Sequence, residues 1–262
     1  MKKHLARLYT FLIFFFLYAP ILVLIIFSFN SSKSTAAWSG FSLRWYSELF
    51  RDKSIMKALY YTLLCAVLSS GIATVFGTIT AYGIHHMRRR PQKILLTINN
   101  IPLLNPDIVT GISLMALFSA LAVLRFKLGF TTMLIAHIAF NVPYVILSVL
   151  PKLSQMPDDT INAAMDLGAT PFYAFRKVVL PEIKPGIITG AIMAFTMSID
   201  DFVISYFTAG VGVTNLSIQI YTMARRGIKP SINALSTLMF VAVLILLLLV
   251  NKYSDEKEQL MS

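Results

Sequence analysis

Three carboxylates interrupt stretches of the chain that are otherwise apolar. Asp107 lies in the apolar stretch 94–124, and Asp200 and Asp201 are adjacent in the stretch 185–209. An ionisable side chain is costly inside a long apolar segment and usually has a function there. No basic residue is predicted at a comparable depth to neutralise these acids, so a mobile cation is their expected partner.

Aromatic side chains follow the acid pair. Phe202 and Tyr206 lie within two helical turns of Asp201, and aromatic faces bind cationic groups. Adjacent helix positions point about 100° apart, so one of the two acids is predicted to face a pathway and the other a neighbouring subunit. Asp107 has an alternative role, because it follows Pro106 and carboxylates also cap helices. The predicted solute pathway comprises Asp107, Asp200, Asp201, Phe202 and Tyr206.

The elements that must position these acids are membrane helices. Of the 262 residues 56% are apolar and 13% are charged, a composition too apolar for a soluble domain. About 20 apolar residues span a bilayer as a helix. Six stretches meet this requirement, which predicts an all-α membrane protein with one domain over 1–262. They are 8–29, 56–84, 94–124, 128–150, 185–209 and 233–250.

The N-terminal apolar stretch has a second interpretation, because it follows a basic tail as a signal peptide would. It is longer than the apolar core of a cleaved signal, about 7–15 residues, so we predict the first membrane helix there. The net charge of +11 comes from Lys and Arg between the apolar stretches, which favours lipid headgroups over nucleic acid as the partner. Basic residues in the N-terminal tail and at 85–93 predict cytoplasmic N- and C-termini, although those at 225–229 argue for the opposite orientation.

The segment 151–184 has the pattern of two short helices with a break. Asp158 and Asp159 can cap the first helix, which runs from Thr160 to Leu167, and Gly168 is expected to end it with a positive φ. A second helix is predicted to begin with Thr170 as the cap and Pro171 at its first position, and to close at Pro181. By itself this pattern leaves two possibilities open, a knob that docks into another protein or an interfacial loop.

A resemblance favours docking. The run Asn162-Ala163-Ala164-Met165-Asp166-Leu167-Gly168-Ala169, followed by Val179-Leu180-Pro181, is similar to the EAA loop of ABC importer permeases. The family usually has Glu where this chain has Asn162. The resemblance implies the type I (MetI-like) permease fold and a loop that couples to an ATPase. The implied coupling residues are Asn162, Ala163, Ala164, Asp166, Gly168, Leu180 and Pro181.

Further segments resemble one branch of that family, the PotC-type permeases of spermidine/putrescine importers. They are Phe29-Asn30-Ser31-Ser32, 38–46, Pro106-Asp107-Ile108-Val109 and Ser198-Ile199-Asp200-Asp201-Phe202. This resemblance implies a multi-pass subunit of the bacterial inner membrane that forms half of a polyamine pathway. The implied partners are an ABC ATPase dimer, a second homologous permease and a soluble or lipid-anchored polyamine-binding protein.

Other functions remain as alternatives. A permease for another cationic or organic solute would share much of the pattern, and a self-sufficient channel or secondary transporter could be built from six helices. A membrane-embedded enzyme would need a base or metal set beside the acids, and the sequence has neither. No phosphate-binding loop is present, so ATP and Mg²⁺ are expected in the partner ATPase, and no cofactor is expected in this chain.

Overall fold

The computed structural model describes residues 2–32, 37–121, 127–157, 159–225 and 230–261. Asp158 and residues 226–229 of the basic segment 225–229, which were used in the predictions above, lie outside these ranges. The described residues are almost entirely helical, with one isolated β-bridge between Asn30 and Phe41. The helices are α1 (Lys2–Ser28), α2 (Arg44–Arg51), α3 (Lys53–His85), α4 (Arg89–Leu104), α5 (Asp107–Ala120), α6 (Phe130–Gln155), α7 (Asp159–Asp166), α8 (Pro171–Ala174), a π-helical turn (Phe175–Val179), α9 (Leu180–Asp200), α10 (Val203–Thr208), α11 (Leu216–Arg225) and α12 (Pro230–Met261).

Within the described residues, five helices are long and apolar enough to cross a membrane, and a bent pair supplies a sixth if it is counted as one span. The five are Arg7–Ser28, Lys53–His85, Phe130–Gln155, Pro171–Asp200 and Pro230–Leu248. The division of the whole chain into one domain with six spans stays a prediction.

The predicted third stretch, 94–124, is not one continuous helix. The chain forms α4 and α5 instead, and their axes differ by 104°. The break falls at Asn105, whose backbone is extended because it precedes Pro106. Pro106 has no N–H to continue the ladder of α4, so it stands before the first residue of α5.

The segment after α6 matches its predicted pattern at the break but not at its end. Gly168 has φ +87°. The N–H of Ala169 bonds to the carbonyl of Ala164 and that of Gly168 to Met165, the Schellman arrangement that closes a helix at a left-handed residue. Thr170 caps the next helix by accepting a hydrogen bond from the Tyr173 N–H.

The prediction that the second helix closes at Pro181 is wrong. The N–H of Leu180 bonds to the carbonyl of Phe175, five residues earlier. This π-helical turn carries the chain past Pro181, which has no N–H to donate, without ending the helix. The helix that contains most of the predicted stretch 185–209 therefore begins at Pro171 and runs to Asp200.

The chain divides into two compact units, and the first comprises the described residues of Met1–Lys57 and Ile218–Leu247. Asn30 organises its N-terminal part. Its carbonyl accepts the indole N–H of Trp45 at 2.6 Å, and its amide donates to the carbonyl of Ala37 at 2.8 Å. The amide oxygen of Asn30 accepts the N–H of Ser39 at 2.9 Å. One buried asparagine thus fixes the connection between α1 and α2.

The second unit comprises the described residues of Ala58–Ser217 and Leu248–Ser262. Its core is built on the close approach of α6 and α9. A Cβ placed on Gly186 would lie 2.7 Å from the Ser148 carbonyl oxygen, and one on Gly190 would lie 3.1 Å from the Val145 Cα. These glycines are four residues apart on α9, the small-xxx-small spacing that lets membrane helices pack backbone to backbone.

The first prediction concerns this packing. Gly186→Ala should lower the apparent melting temperature of the purified chain in detergent, because its Cβ would meet backbone atoms that cannot move aside. We expect a loss of about 1–3 kcal/mol from overpacking, despite the better helix propensity of alanine. Gly71→Ala is the matched control, since a Cβ there meets nothing within 4 Å. Equal melting temperatures for the two variants would contradict the close approach of α6 and α9.

Candidate functional site

The acid pair lies at a break between two helices. α9 ends at Asp200, and α10 begins at Val203. The Asp201 carboxylate accepts the backbone N–H of Ile204 at 3.1 Å and of Ser205 at 2.7 Å. These N–H groups belong to the first turn of α10 and have no intrahelical partner, so Asp201 satisfies them as a helix cap.

Asp201 is also held by side chains from outside the break. Its side chain is 8% exposed, and its Oδ2 lies 3.4 Å from the Nε2 of His137 on α6. The same His137 nitrogen lies 2.9 Å from the Ser205 hydroxyl oxygen. The amide of Asn215 donates to the Asp201 carbonyl at 2.9 Å and to the Ser205 hydroxyl at 2.8 Å. No partner within the chain was predicted for these acids, and the structure gives Asp201 a polar neighbour on α6 in His137.

Asp200 differs from its neighbour. It is exposed, and its backbone carbonyl accepts the Ser217 hydroxyl at 3.4 Å. The two acids therefore have separate surroundings: Asp201 is buried against α6, whereas the Asp200 carboxylate is accessible. The prediction that Asp201 lines a solute pathway stays a prediction, but its described contacts are those of a structural cap.

Asp107 is the first residue of α5 and is exposed. The cap position is taken by Pro106, which makes no side-chain capping bond. A carboxylate in the first turn still interacts favourably with the helix dipole. This interaction does not bury the Asp107 side chain, which stays accessible.

The aromatic residues after the break form a short cluster along α10, in which the rings meet at tilted and edge-on angles. The rings of Phe202 and Tyr206 are 5.4 Å apart between centroids, and those of Tyr206 and Phe207 are 5.5 Å apart. Tyr206 is 49% exposed, whereas Phe207 packs against α5, where a Cβ on Gly111 would lie 2.9 Å from its ring. Tyr206 is thus the most exposed ring of this cluster.

The helix–glycine–helix segment exposes large apolar side chains. Leu167 is 90% exposed and Phe172 is 73% exposed, at either side of the break. A groove of about 460 Å³ runs beside them and is lined by Ala164, Leu167, Gly168, Ala169, Thr170 and Tyr173. Asn162, Ala163, Asp166 and Pro181 are exposed as well, and Leu180 is half-buried. We call Asp159–Ala174 the knob.

Comparison with known proteins identifies the family. The profile described as "Binding-protein-dependent transport system inner membrane component" matches residues 73–257. The chain belongs to this family. It is a permease subunit of an ABC transport system and not an enzyme, and it is an inner-membrane component.

Curated relatives cover nearly all of the permease. The putrescine transport system permease protein PotI of Escherichia coli K12 is 42% identical over 88% of this chain and 83% of its own. The spermidine/putrescine transport system permease protein PotC of the same organism is 37% identical over 90% and 88%. PotC of Haemophilus influenzae is 34% identical over 94% of both chains.

Solved structures share the fold of the permease. A chain of a bacterial ABC transporter involved in import of the acidic polysaccharide alginate has a TM-score of 0.73 at 18% identity, with 97% of this chain and 95% of that chain covered. A chain of the MetNI methionine ABC transporter has a TM-score of 0.64 at 19% identity, with 82% and 99% covered. The predicted MetI-like all-α architecture is confirmed.

Three residues of the site were not predicted from the sequence. None of His137, Ser205 and Asn215 was among the predicted pathway residues, yet all three contact Asp201. A signal for His137 was present: His137 and Asn141 are one helical turn apart in the apolar stretch 128–150. No group of three or more potential metal ligands occurs among the described residues.

The second prediction separates the two acids by the same substitution at each. Asp201→Ala should destabilise the permease by about 1–2 kcal/mol, because the first turn of α10 loses its cap. Asp200→Ala should change stability much less, because it removes an exposed side chain. Apparent melting temperatures of the two variants in detergent test this. A larger effect at Asp200 would contradict the assignment of Asp201 as the cap.

Proposed function

We propose that this permease forms half of the pathway of an ATP-driven importer of polyamines. The observation that carries the proposal is the exposed Asp200 carboxylate at a helix break inside an apolar segment. A charged side chain there is costly unless water or a cation compensates it. The relatives named for putrescine and spermidine transport support a cationic substrate.

A polyamine fits the chemistry of the exposed groups. It is a flexible chain of ammonium groups joined by methylenes. Asp200 and Asp107 offer two separate carboxylates, and the exposed Tyr206 beside Phe202 offers an aromatic ring for a cation–π contact. We assign Asp201 to holding this arrangement in place rather than to contacting the substrate.

The knob is the proposed contact with the ATPase. A side chain as large as Leu167 gains by leaving water, and the knob exposes it together with Phe172 beside a groove. The Schellman turn at Gly168 fixes the angle at which these side chains project. Asn162 takes the place of the family's usual Glu, so the docking proposed here depends on apolar contact more than on an ion pair at that position.

The remaining parts of the proposal concern assembly and orientation. The proposed partners are an ABC ATPase dimer that holds ATP and Mg²⁺, a second homologous permease and a polyamine-binding protein. The whole chain is proposed to act as one permease domain of the inner membrane, with both termini and the knob on the cytoplasmic side. The basic residues near the N-terminus and at 85–93 support this orientation.

The third prediction tests the acid. Asp200→Asn keeps the shape of the side chain and removes its charge, so polyamine uptake should fall by roughly five- to 150-fold at subsaturating substrate, which corresponds to about 1–3 kcal/mol. Asp107→Asn should reduce uptake in the same direction. Uptake is measured in vesicles together with the amount of assembled complex, which should not change. Native uptake by both variants would refute the cationic pathway while leaving the family assignment intact.

The fourth prediction tests the knob. Gly168→Val should uncouple polyamine-stimulated ATP hydrolysis from uptake, because a β-branched residue is strained at φ +87°. Gly168→Asn is the control, since asparagine tolerates the left-handed region. No atoms lie within 4 Å of a Cβ at this position, so any difference between Val and Asn reflects backbone conformation rather than a clash. Normal coupling in the Val variant would exclude the knob as the ATPase contact.

A further inference from the structure

Two fully buried polar side chains lie one turn apart on α6. His137 is 2% exposed and Asn141 is 0% exposed. Residues four apart share one face of a helix, so both side chains point toward the same neighbours. Polar groups inside an apolar segment are unfavourable without partners, and both of these bind the chain close to Asp200.

Asn141 binds the last turn of α9. Its amide donates to the Ser198 hydroxyl at 2.7 Å and to the Ser69 hydroxyl of α3 at 3.3 Å. The hydroxyls of Ser198 and Ser69 are 2.8 Å apart. Ser198 lies two residues before Asp200, so this cluster fixes the backbone on the N-terminal side of the acid.

His137 binds the chain on the other side. Its Nε2 lies 3.4 Å from the carboxylate of Asp201, the residue after Asp200, and 2.9 Å from the Ser205 hydroxyl. Asn215 holds the same turn through the Asp201 carbonyl. The backbone on the C-terminal side of Asp200 is therefore fixed from α6 as well.

We propose that His137 and Asn141 are positioning residues for Asp200. The end of a helix frays when its last carbonyls lack intrahelical partners. Here the two α6 side chains hold residues 198 and 201, and the backbone that carries the exposed carboxylate is anchored on both sides. The inference rests on the proposed role of Asp200 in the pathway.

A purely structural role for the same cluster makes a different prediction. Hydrogen bonds between buried polar side chains also hold membrane helices together. If that were the whole role, loss of the Ser198 hydroxyl on α9 and loss of the Ser69 hydroxyl on α3 would have the same effect on the permease. Neither loss would change the surroundings of residue 200. Positioning requires the bond to Ser198 in particular, whereas Ser69 contributes only a side contact.

The test uses a cysteine at position 200. Cys65 is the only cysteine of the chain, so Cys65→Ala gives a background in which Asp200→Cys is the single thiol. The assembled complex in detergent micelles is treated with a positively charged methanethiosulfonate, and the rate of modification is measured. Val211→Cys, at a fully exposed position after α10, reports changes that are not specific to position 200.

Two matched pairs are then introduced into this background. Ser198→Ala removes the hydroxyl on α9 that accepts the Asn141 amide. Ser69→Ala removes a hydroxyl from α3 but keeps the hydrogen bond between Asn141 and Ser198. His137→Leu removes the anchor of the α9–α10 turn, and His137→Gln retains a donor at about the same place. Each variant is compared with the parent at position 200 and at position 211.

The proposal predicts slower modification at position 200 in Ser198→Ala and His137→Leu. The decrease should be about three- to tenfold, as expected for the loss of one or two hydrogen bonds. Ser69→Ala and His137→Gln should stay near the parent rate, and position 211 should not change in any variant. Equal rates in Ser198→Ala and Ser69→Ala, or faster modification in either, would overturn the positioning role.

The parent complex, with Cys65→Ala and Asp200→Cys alone, distinguishes a failure of the positioning role from a failure of the proposed function. If the thiol introduced at position 200 does not react in the parent complex, residue 200 is not on a water-accessible pathway, and the proposed function of Asp200 fails together with its positioning. If that thiol reacts in the parent but the anchor variants leave its rate unchanged, only the positioning role fails. If the His137→Leu variant does not assemble, the modification rates of Ser198→Ala and Ser69→Ala at position 200 are enough to test the positioning role.

Discussion

A helix that ends inside an apolar segment leaves backbone donors and acceptors that need new partners, and the break after Asp200 is such an end. This permease supplies the missing partners from its own side chains. Asp201 accepts two N–H groups of α10, and Asn215 donates to the carbonyl left free at the turn. The break can exist only because these groups are present. This break determines where Asp200 and the aromatic cluster on α10 lie and in which direction the chain continues.

The close approach of α6 and α9 is the second condition for the site. Side chains on α6 reach the turn because Gly186 and Gly190 let the two backbones meet without intervening Cβ atoms. Bulkier residues there would move α6 outward and carry His137 and Asn141 away from their partners. The small residues Gly186 and Gly190 thus allow the polar contacts that His137 and Asn141 make near the C-terminal end of α9. A similar close approach occurs at Gly111, where the missing Cβ lets Phe207 of α10 pack on α5.

Much of the fold followed from composition and local rules, and the errors have identifiable causes. The glycine break at 168 and the Thr170 cap were predictable because they depend on residues within one helical turn. The continuation of the helix past Pro181 was not predictable, since the π-helical turn that accommodates this proline does not alter the hydropathy pattern. The site was predictable only as a set of residue types. Which of two adjacent acids is buried depends on His137, 64 positions earlier in the chain, and no local rule relates the two.

The unbroken helix from Pro171 to Asp200 has a mechanical consequence. Thirty residues make a rod of about 45 Å, with the knob at one end and the acid at the other. Tilting this rod by about 5° around its knob end would swing the acid end by about 4 Å, far beyond the stretch that a hydrogen bond tolerates. Since Ser198 is hydrogen-bonded to Asn141, a tilt of this size would either break that bond or carry α6 along with α9.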